Sequence, residues 1–440
     1  MRSTLIAAAV AVTLGSLSLG AHADDTLSNI FTQGHVDGQF RLYNFDRLYS
    51  TSKVPDAHAL SGAILLNANT ANFGGGFSFG ASLLSANAFG TQSSNPAKID
   101  TTLMGPTNTV SALSQAYVQY KNSNVLVRAG QQYLDTPWMG SSDSRVMPAS
   151  YQAVLAGFTP IKGWNIYALR SFGWKSRTSD SFSFDNLYYP STYRNDSMYG
   201  GIGGLPATAK PARGTWAAGT TYAANGFAGQ AWYYDFINFA HMGYLEGGYT
   251  FKTGSGFDPF VKAQYLDESG GAGTTLVVNQ APLFGVPGSR VKSSAWGGDV
   301  GVNIPHGSFD VAYNKIGTHN GAVGDGAIIS PYTAAYATDP LYTTSMIRGL
   351  VEQGPGHAWK GKFTYKLLND QLLLMVAYAK YTTQLRGSSH DAYLDITYNF
   401  DGKLKGLSLR DRWERANGGL GLNPGNGSFT YNRVMITYKF

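Results

Sequence analysis

The sequence contains no cysteine, so no disulfide can hold its fold together. After residue 23 it has no run of about 18 consecutive apolar residues, and this excludes helical membrane spans. Charged residues make up only 14% of the chain, which is a small share for a water-soluble globular protein. The net charge of +6 is dispersed over many segments and is too small to indicate nucleic-acid binding.

Residues 1–23 have the pattern of a secretory signal peptide. Arg2 supplies a positive start, residues 5–19 form a short apolar stretch, and Ala21, His22 and Ala23 fit a cleavage site between small residues. We therefore expect a mature chain, residues 24–440, outside the cytoplasm. No Pro-rich or Ser-rich linker and no charge block divides this remainder, so we expect one domain.

Apolar and polar residues alternate along much of the chain. In residues 358–367, Trp359 and Phe363 alternate with Lys360, Lys362 and Lys366, and residues 392–400 and 431–440 repeat the scheme. Successive side chains of a strand point to opposite faces. Each segment therefore predicts a strand with one apolar, aromatic face and one polar face, and turn residues separate the segments.

Such strands suit a soluble sandwich or propeller, which buries the apolar face, or a transmembrane barrel, which turns that face to lipid. Three features favour the barrel: the export signal, the aromatic ends of the apolar faces, and the final strand, which ends in Phe440. A terminal strand of this form resembles the signal that the outer-membrane barrel assembly machinery recognises. We therefore expect an all-β, transmembrane antiparallel barrel of about 16 to 18 strands, closed because hydrocarbon cannot satisfy a free edge.

The basic residues of these strands are predicted to face the lumen. With Phe440 outward, parity turns Arg433 inward; with Phe40 outward, Arg41 faces inward. A mid-strand Arg or Lys on the lipid side costs about 2 to 4 kcal/mol. We expect a cationic lumen that attracts anions, in which arginines bind carboxylates in shallow, successive steps.

Five segments together resemble the OprD-type substrate-specific outer-membrane porins. These are GQFRLYNFDRLY (38–49), LVRAGQQYLDTPWMGSSDSRVMPASYQAV (126–154), DPLYTTSMIRGLVEQGPGHAWKGKF (339–363), GLSLRDRWERANG (406–418) and YNRVMITY (431–438). The resemblance covers most of the mature chain, loosely. It implies an 18-stranded barrel with an inward-folded constriction loop, a single-chain channel for passive diffusion of small carboxylate-bearing nutrients, and location in the bacterial outer membrane among its lipids and lipopolysaccharide.

The same resemblance implies the functional residues. A ladder of basic residues on one wall corresponds to Arg41, Arg128, Lys362, Arg410, Arg412 and Arg433, and the constriction loops contribute Arg145 and Asp339. Lys360 and Lys366 are further lumen cations by parity. The chain departs from the family at Val351 and Glu352, where the family can carry a loop acid, and at Ala377 and Thr397, where it carries basic residues; these departures bear on the choice of substrate.

Alternatives remain open at this point. Aromatic acids, aliphatic acids and amino acids present the same carboxylate, and a general porin or an adhesive, structural barrel would share the fold. A hydrolase at the barrel rim is the least favoured alternative, because GFSFG (76–80) matches G-x-S-x-G inside an alternating segment and not at a strand-turn-helix junction. Metal and nucleotide motifs are absent from the sequence. We expect no enzymatic activity, no cofactor and no metal.

Asp411 has outward parity in mid-strand, and a bulge that turns it inward is one hypothesis.

Overall fold

The structure is a computed structural model. It describes residues 25–51, 54–142, 144–182, 214–270, 290–329, 339–351, 353–384, 387–418 and 427–440. The expected signal peptide and Glu352 lie outside these ranges. Helix α1 spans Asp25–Thr32, and three short 3-10 turns span Pro96–Lys98, Val323–Asp325 and Gly402–Leu404. The strands are β1 (His35–Tyr49), β2 (Ala57–Asn69), β3 (Phe77–Asn87), β4 (Thr109–Lys121), β5 (Val125–Gln132), β6 (Ser150–Ile161), β7 (Trp164–Lys175), β8 (Thr215–Ala224), β9 (Phe227–Phe236), β10 (Ala240–Thr250), β11 (Asp258–Ser269), β12 (Lys292–Ile304), β13 (Gly307–Ile316), β14 (Gly356–Leu367), β15 (Leu372–Thr383), β16 (Gly387–Asn399), β17 (Leu407–Asn417) and β18 (Ser428–Lys439).

The strands form one closed antiparallel barrel. Each strand pairs with its neighbours in the chain, and β18 pairs with β1, so the 18-stranded sheet has no free edge. This confirms the predicted fold. Closure satisfies the backbone of every wall strand without water. In the described part of the chain, no helix is both long and apolar enough to cross a membrane.

The two ends of the barrel differ. At one end the strands are joined by tight turns, and residues 225–226 illustrate why: Asn225 and Gly226 both have positive φ values (52° and 87°), as the two-residue hairpin turn requires. The start of β1 and the end of β18 lie on this side, where the Gly38 amide donates to the Phe440 carbonyl at 2.9 Å. The opposite end carries the longer connections, including residues 88–108 and 133–149. In outer-membrane barrels the short turns face the periplasm.

The outer surface is apolar and aromatic, as the alternation predicts. Phe40, Trp359, Phe363 and Ile436 are exposed there. The rings of Phe40 and Phe440 lie 5.1 Å apart across the β1–β18 closure. No residue that the structure describes covers these apolar side chains, which fits a lipid-facing wall.

Asp411 lies on this outer surface, and the bulge hypothesis is wrong. The registers of β17 with β16 and with β18 run without interruption. The Asp411 carboxylate instead accepts a 2.6 Å hydrogen bond from the Asn432 amide on β18. A neighbouring outward amide therefore satisfies the aspartate without a change of strand register.

Candidate functional site

The connection between β5 and β6, residues 133–149 (loop A), crosses the lumen. Near one end, the Trp138 amide donates to the Tyr234 hydroxyl on β9 at 3.4 Å, and its ring lies 6.2 Å from that of Tyr244 on β10. Near the other end, Arg145 and Val146 contact β1. Strands β1 and β9 are eight positions apart in the ring of 18, almost opposite. Loop A is therefore the predicted inward-folded constriction.

Arg41 anchors loop A to the wall. Its guanidinium donates to the carbonyls of Arg145 (3.1 Å) and Val146 (3.3 Å), and its side chain is almost fully buried. Arg41 does face inward, as predicted, but its guanidinium is bonded to the loop backbone and to Gln39 Oε1, the latter at 2.9 Å. Lys175 on β7 acts similarly, donating to the Pro148 carbonyl at 3.4 Å. Two buried cations thus fix the constriction at both sides of the Ser144–Pro148 segment.

Three arginines line the inner wall beside this anchor. Arg410 and Arg412 alternate on β17, and Arg433 stands directly opposite Arg412 on β18. Arg145 and Arg433 both approach the ring of Phe45, with guanidinium carbons 5.7 and 4.9 Å from its centroid. The Arg433 side chain is fully buried, and its Nε and Nη2 atoms lack hydrogen-bond partners among the described residues. Guanidinium groups are therefore concentrated where loop A meets the wall.

An acid on β16, which the sequence reasoning did not assign, joins the two β17 arginines. The Asp395 carboxylate accepts from Arg410 Nε at 2.8 Å, and Arg412 Nε lies 3.2 Å from its other oxygen. Tyr393 completes the group: its hydroxyl donates to Asp395 at 2.7 Å and accepts from Arg412 at 2.9 Å. The polar parity of Asp395 was visible in the sequence. Its contact with the two arginines could not be read from the sequence, because it depends on the register of β16 with β17.

The remaining predicted cations have different surroundings. Lys362 points inward, 3.2 Å from Asp310. Lys360 is buried and donates to the Thr344 carbonyl at 2.7 Å, so it anchors a loop. Arg128 donates to Gln119 Oε1 at 2.9 Å. Lys366 lies exposed at the short-turn rim, 3.9 Å from Asp370, away from the other cations.

Residues 339–351 (loop B) are bonded to β16 and β17, the strands that also carry Asp395, Arg410 and Arg412. Ser345 Oγ donates to Asp391 at 3.1 Å and to Glu414 at 3.2 Å, and the Met346 amide donates to Glu414 at 2.8 Å. Arg348 Nε lies 3.4 Å from Asp391. Both acids are completely buried. The alternation of β17 puts Glu414 on the same face as Arg410 and Arg412, but its role as a loop anchor follows only from the structure.

Asp339 begins loop B, as the predicted loop acid. Its carboxylate accepts from the Leu341 amide at 3.1 Å. Burial raises the pKa of Asp339 to about 6, against the opposing effects of that hydrogen bond and of Lys360 nearby. Val351, one of the family departures, is buried in the apolar contact of loop B with the wall.

The wall opposite the arginines carries acidic and amide side chains beside a cluster of buried aromatic residues. Glu246 on β10 accepts from Gln230 at 2.7 Å and from the Tyr342 hydroxyl of loop B at 3.2 Å. Lys262 donates to Asp299 at 3.0 Å. A lumen cavity of about 510 Å³ opens here, lined by Gln230, Glu246 and Lys262 among others. The sequence analysis did not predict any of these groups as site residues, because only the closed barrel shows that they point into the lumen.

The two gaps in the predicted ladder fall beside occupied positions. Ala377 faces Lys362 across β14 and β15, and Thr397 faces Arg410 across β16 and β17. Within the described ranges, no group of three or more His, Asp or Glu side chains is arranged to hold a metal ion. The GFSFG segment leads from a turn into strand β3, and so it lacks the geometry of a nucleophile elbow.

The chain is similar to solved porin structures. The chain superposes on a BenF-like porin from Pseudomonas fluorescens with a TM-score of 0.73 and 15% sequence identity, covering 93% of this chain and 99% of that one. For OccK8 (OprE) of Pseudomonas aeruginosa the TM-score is 0.71 at 16% identity, with coverage of 94% and 99%. For OpdK of the same species, solved with vanillate, the values are 0.70, 14%, 93% and 99%.

These similarities show that the chain has the porin barrel fold over nearly its whole length. No protein-family model matches the sequence. A search of curated proteins also gave no match.

Proposed function

We propose that the protein is an OprD-type, substrate-selective channel of the outer membrane, through which small carboxylate-bearing nutrients diffuse passively. The proposed substrate path runs past Arg410 and Arg412 on β17, with Arg145 of loop A and Asp339 of loop B at the constriction. Arg128 and Lys362 extend the basic surface. The protein has no catalytic role in this account.

One observation carries the proposal: Arg412 and Arg433 are paired directly across β17 and β18. Like charges in directly opposed positions destabilise a sheet, and Asp395 offsets Arg412 through an ion pair with an Nε–Oδ2 distance of 3.2 Å. An anion that passes along this wall relieves the repulsion at each step. Arginine suits the purpose because its planar fork holds a carboxylate through two hydrogen bonds.

The exposed fractions of the basic side chains indicate the order in which a substrate would contact them. The Arg410 side chain is 39% exposed and that of Lys362 is 34% exposed, whereas Arg412 is 11% exposed. We therefore assign first contact to Arg410 and Lys362. Arg433 acts by its charge, and Arg41 acts by holding loop A. Vanillate, present in the OpdK structure, is an aromatic carboxylate of the proposed substrate class.

Paired solutes test the proposal. Liposomes that contain the refolded protein are swollen in iso-osmotic benzoate or in benzamide, which has the same ring and no charge. The account expects faster entry of benzoate, after correction for protein-free liposomes. Equal rates for both solutes would support a general porin instead. Swelling in neither solute would leave only a structural barrel.

A further inference from the structure

We infer that the outer surface of β13–β17 binds the phosphate groups of an anionic glycolipid in the outer leaflet. Five basic side chains lie there, on the long-loop side of the barrel. This basic arc consists of Lys315, His357, Lys380, His390 and Arg415. The inference rests on the proposed outer-membrane location and concerns a surface that faces away from the channel.

The register brings the arc together. Lys315 stands directly opposite His357, and Lys380 stands directly opposite His390. Side chains so placed have Cβ atoms about 5 Å apart. His357 faces Thr382, two residues from Lys380, so the two pairs are diagonal neighbours. Arg415 continues the arc beside His390 in the same way, through Asn417.

These groups are exposed, and the two lysines among them have no counter-charge within the described residues. Lys315, His357, Lys380 and His390 are all in exposed positions. The side chains of Lys315 and Lys380 form no ion pair or hydrogen bond with any residue that the structure describes. On the outward face of these five strands the one described acid in the long-loop half is Asp411, four residues before Arg415 and bonded to Asn432. Arg415 donates to the Thr430 and Ser428 hydroxyls, and the two lysines form a positive surface to which the described part of the fold supplies no partner.

Aromatic rings fix its height in the membrane. Tyr313, Trp359, Tyr378 and Trp413 each lie two positions from a member of the arc, on the side toward the middle of the barrel. The ring of Tyr313 stacks on His357 at 6.0 Å, and that of Tyr378 contacts His390 at 5.9 Å. Aromatic girdles mark the boundary between hydrocarbon and headgroups. The arc therefore lies at the level of lipid phosphates.

The positive charge of the basic arc and its position at the headgroup level favour a lipid phosphate as its ligand. Phosphate groups anchored in a lipid layer meet several cations at once, and each Lys or Arg near a charged lipid surface strengthens the attraction. A polypeptide partner would have to displace lipid from the girdle below. We assign the arc to a phosphorylated glycolipid, with its acyl chains along the aromatic and aliphatic wall.

Native mass spectrometry of the full-length refolded barrel tests this. The probes are a diphosphorylated, hexa-acylated glucosamine disaccharide lipid and its dephosphorylated form. We expect wild-type protein to prefer the phosphorylated lipid, and Lys315→Gln plus Lys380→Gln to bind it roughly 10- to 30-fold more weakly. The control, Lys403→Gln plus Lys405→Gln, makes the same charge change at the exposed short-turn rim and should keep the wild-type preference.

Three results would overturn the inference: equal wild-type affinity for the two lipids, an undiminished preference in the Lys315/Lys380 variant, or the same loss in the control. Heat-modifiable migration in gels verifies that each variant has formed its barrel. Channel conductance of the same samples separates the two proposals. A barrel that prefers the phosphorylated lipid without conducting overturns the channel function alone, whereas a conducting barrel with no lipid preference overturns this inference alone.

Discussion

Asp395 binds Arg410 through both of its carboxylate oxygens, with an Nε–Oδ1 distance of 2.8 Å. The same carboxylate lies 3.2 Å from Arg412. One acid therefore partly neutralises the two arginines that we assign to the substrate path. The strength of carboxylate binding in the lumen depends on this balance as well as on the arginines.

Asp395→Asn should increase anion preference. The change removes one negative charge beside Arg410 and Arg412, and a unit charge at about 4 Å is worth about 1 kcal/mol in water, roughly fivefold in an equilibrium constant. Reversal potentials in a salt gradient measure the ratio of anion to cation permeability. Asp370→Asn, at the exposed rim, makes the same charge change and serves as the control. A ratio that rises equally in both variants would refute a local effect of Asp395.

Arg41→Gln should loosen loop A. The substitution removes the hydrogen bonds to the Arg145 and Val146 carbonyls, and bonds from a charged group are worth about 1.5 to 3 kcal/mol each. We expect larger and noisier single-channel currents, with the barrel itself still formed. Arg41→Lys keeps the charge and shortens the reach, so it separates anchoring from electrostatics. Currents identical to wild type in Arg41→Gln would argue against the anchor.

Acidification should raise anion preference through Asp339. Its pKa is raised to about 6 by burial, so the carboxyl group is ionised at pH 7.5 and mostly neutral at pH 5. The fall in pH thus removes a negative charge from the constriction. Reversal potentials at both pH values measure the change, and Asp339→Asn should give the low-pH behaviour at both. An Asn variant that retains the full wild-type pH dependence would assign the titration to other groups.

The fold was predictable because its signals are local. Two-residue alternation predicts strands, and the final Phe440 strand indicates a barrel. The number 18 came from family resemblance and is confirmed by the closed sheet. Inward parity was also correct for Arg410, Arg412 and Arg433, since a strand face is fixed by its apolar neighbours.

The contacts within the lumen were not predictable in the same way. Asp395 and Arg412 are partners only through the β16–β17 register. Glu414 anchors loop B by accepting from the Met346 amide, 68 residues away in the sequence. Arg41 has the parity of a ladder residue, yet its neighbours make it an anchor. Side-chain parity determines which face a residue occupies, whereas the loops determine what that residue meets there.

The most direct test of the account uses single-channel recording in planar bilayers. Benzoate is added to wild-type protein and to the double variant Arg410→Ala plus Arg412→Ala, with Lys366→Ala as a control for loss of a cation at the rim. The account predicts concentration-dependent current blockades by benzoate in wild type and in the control, and at least tenfold weaker blockade in the double variant, since hydrogen bonds to charged groups are worth about 1.5 to 3 kcal/mol each. Equal blockade in wild type and in the double variant would contradict the central claim that these arginines select carboxylates.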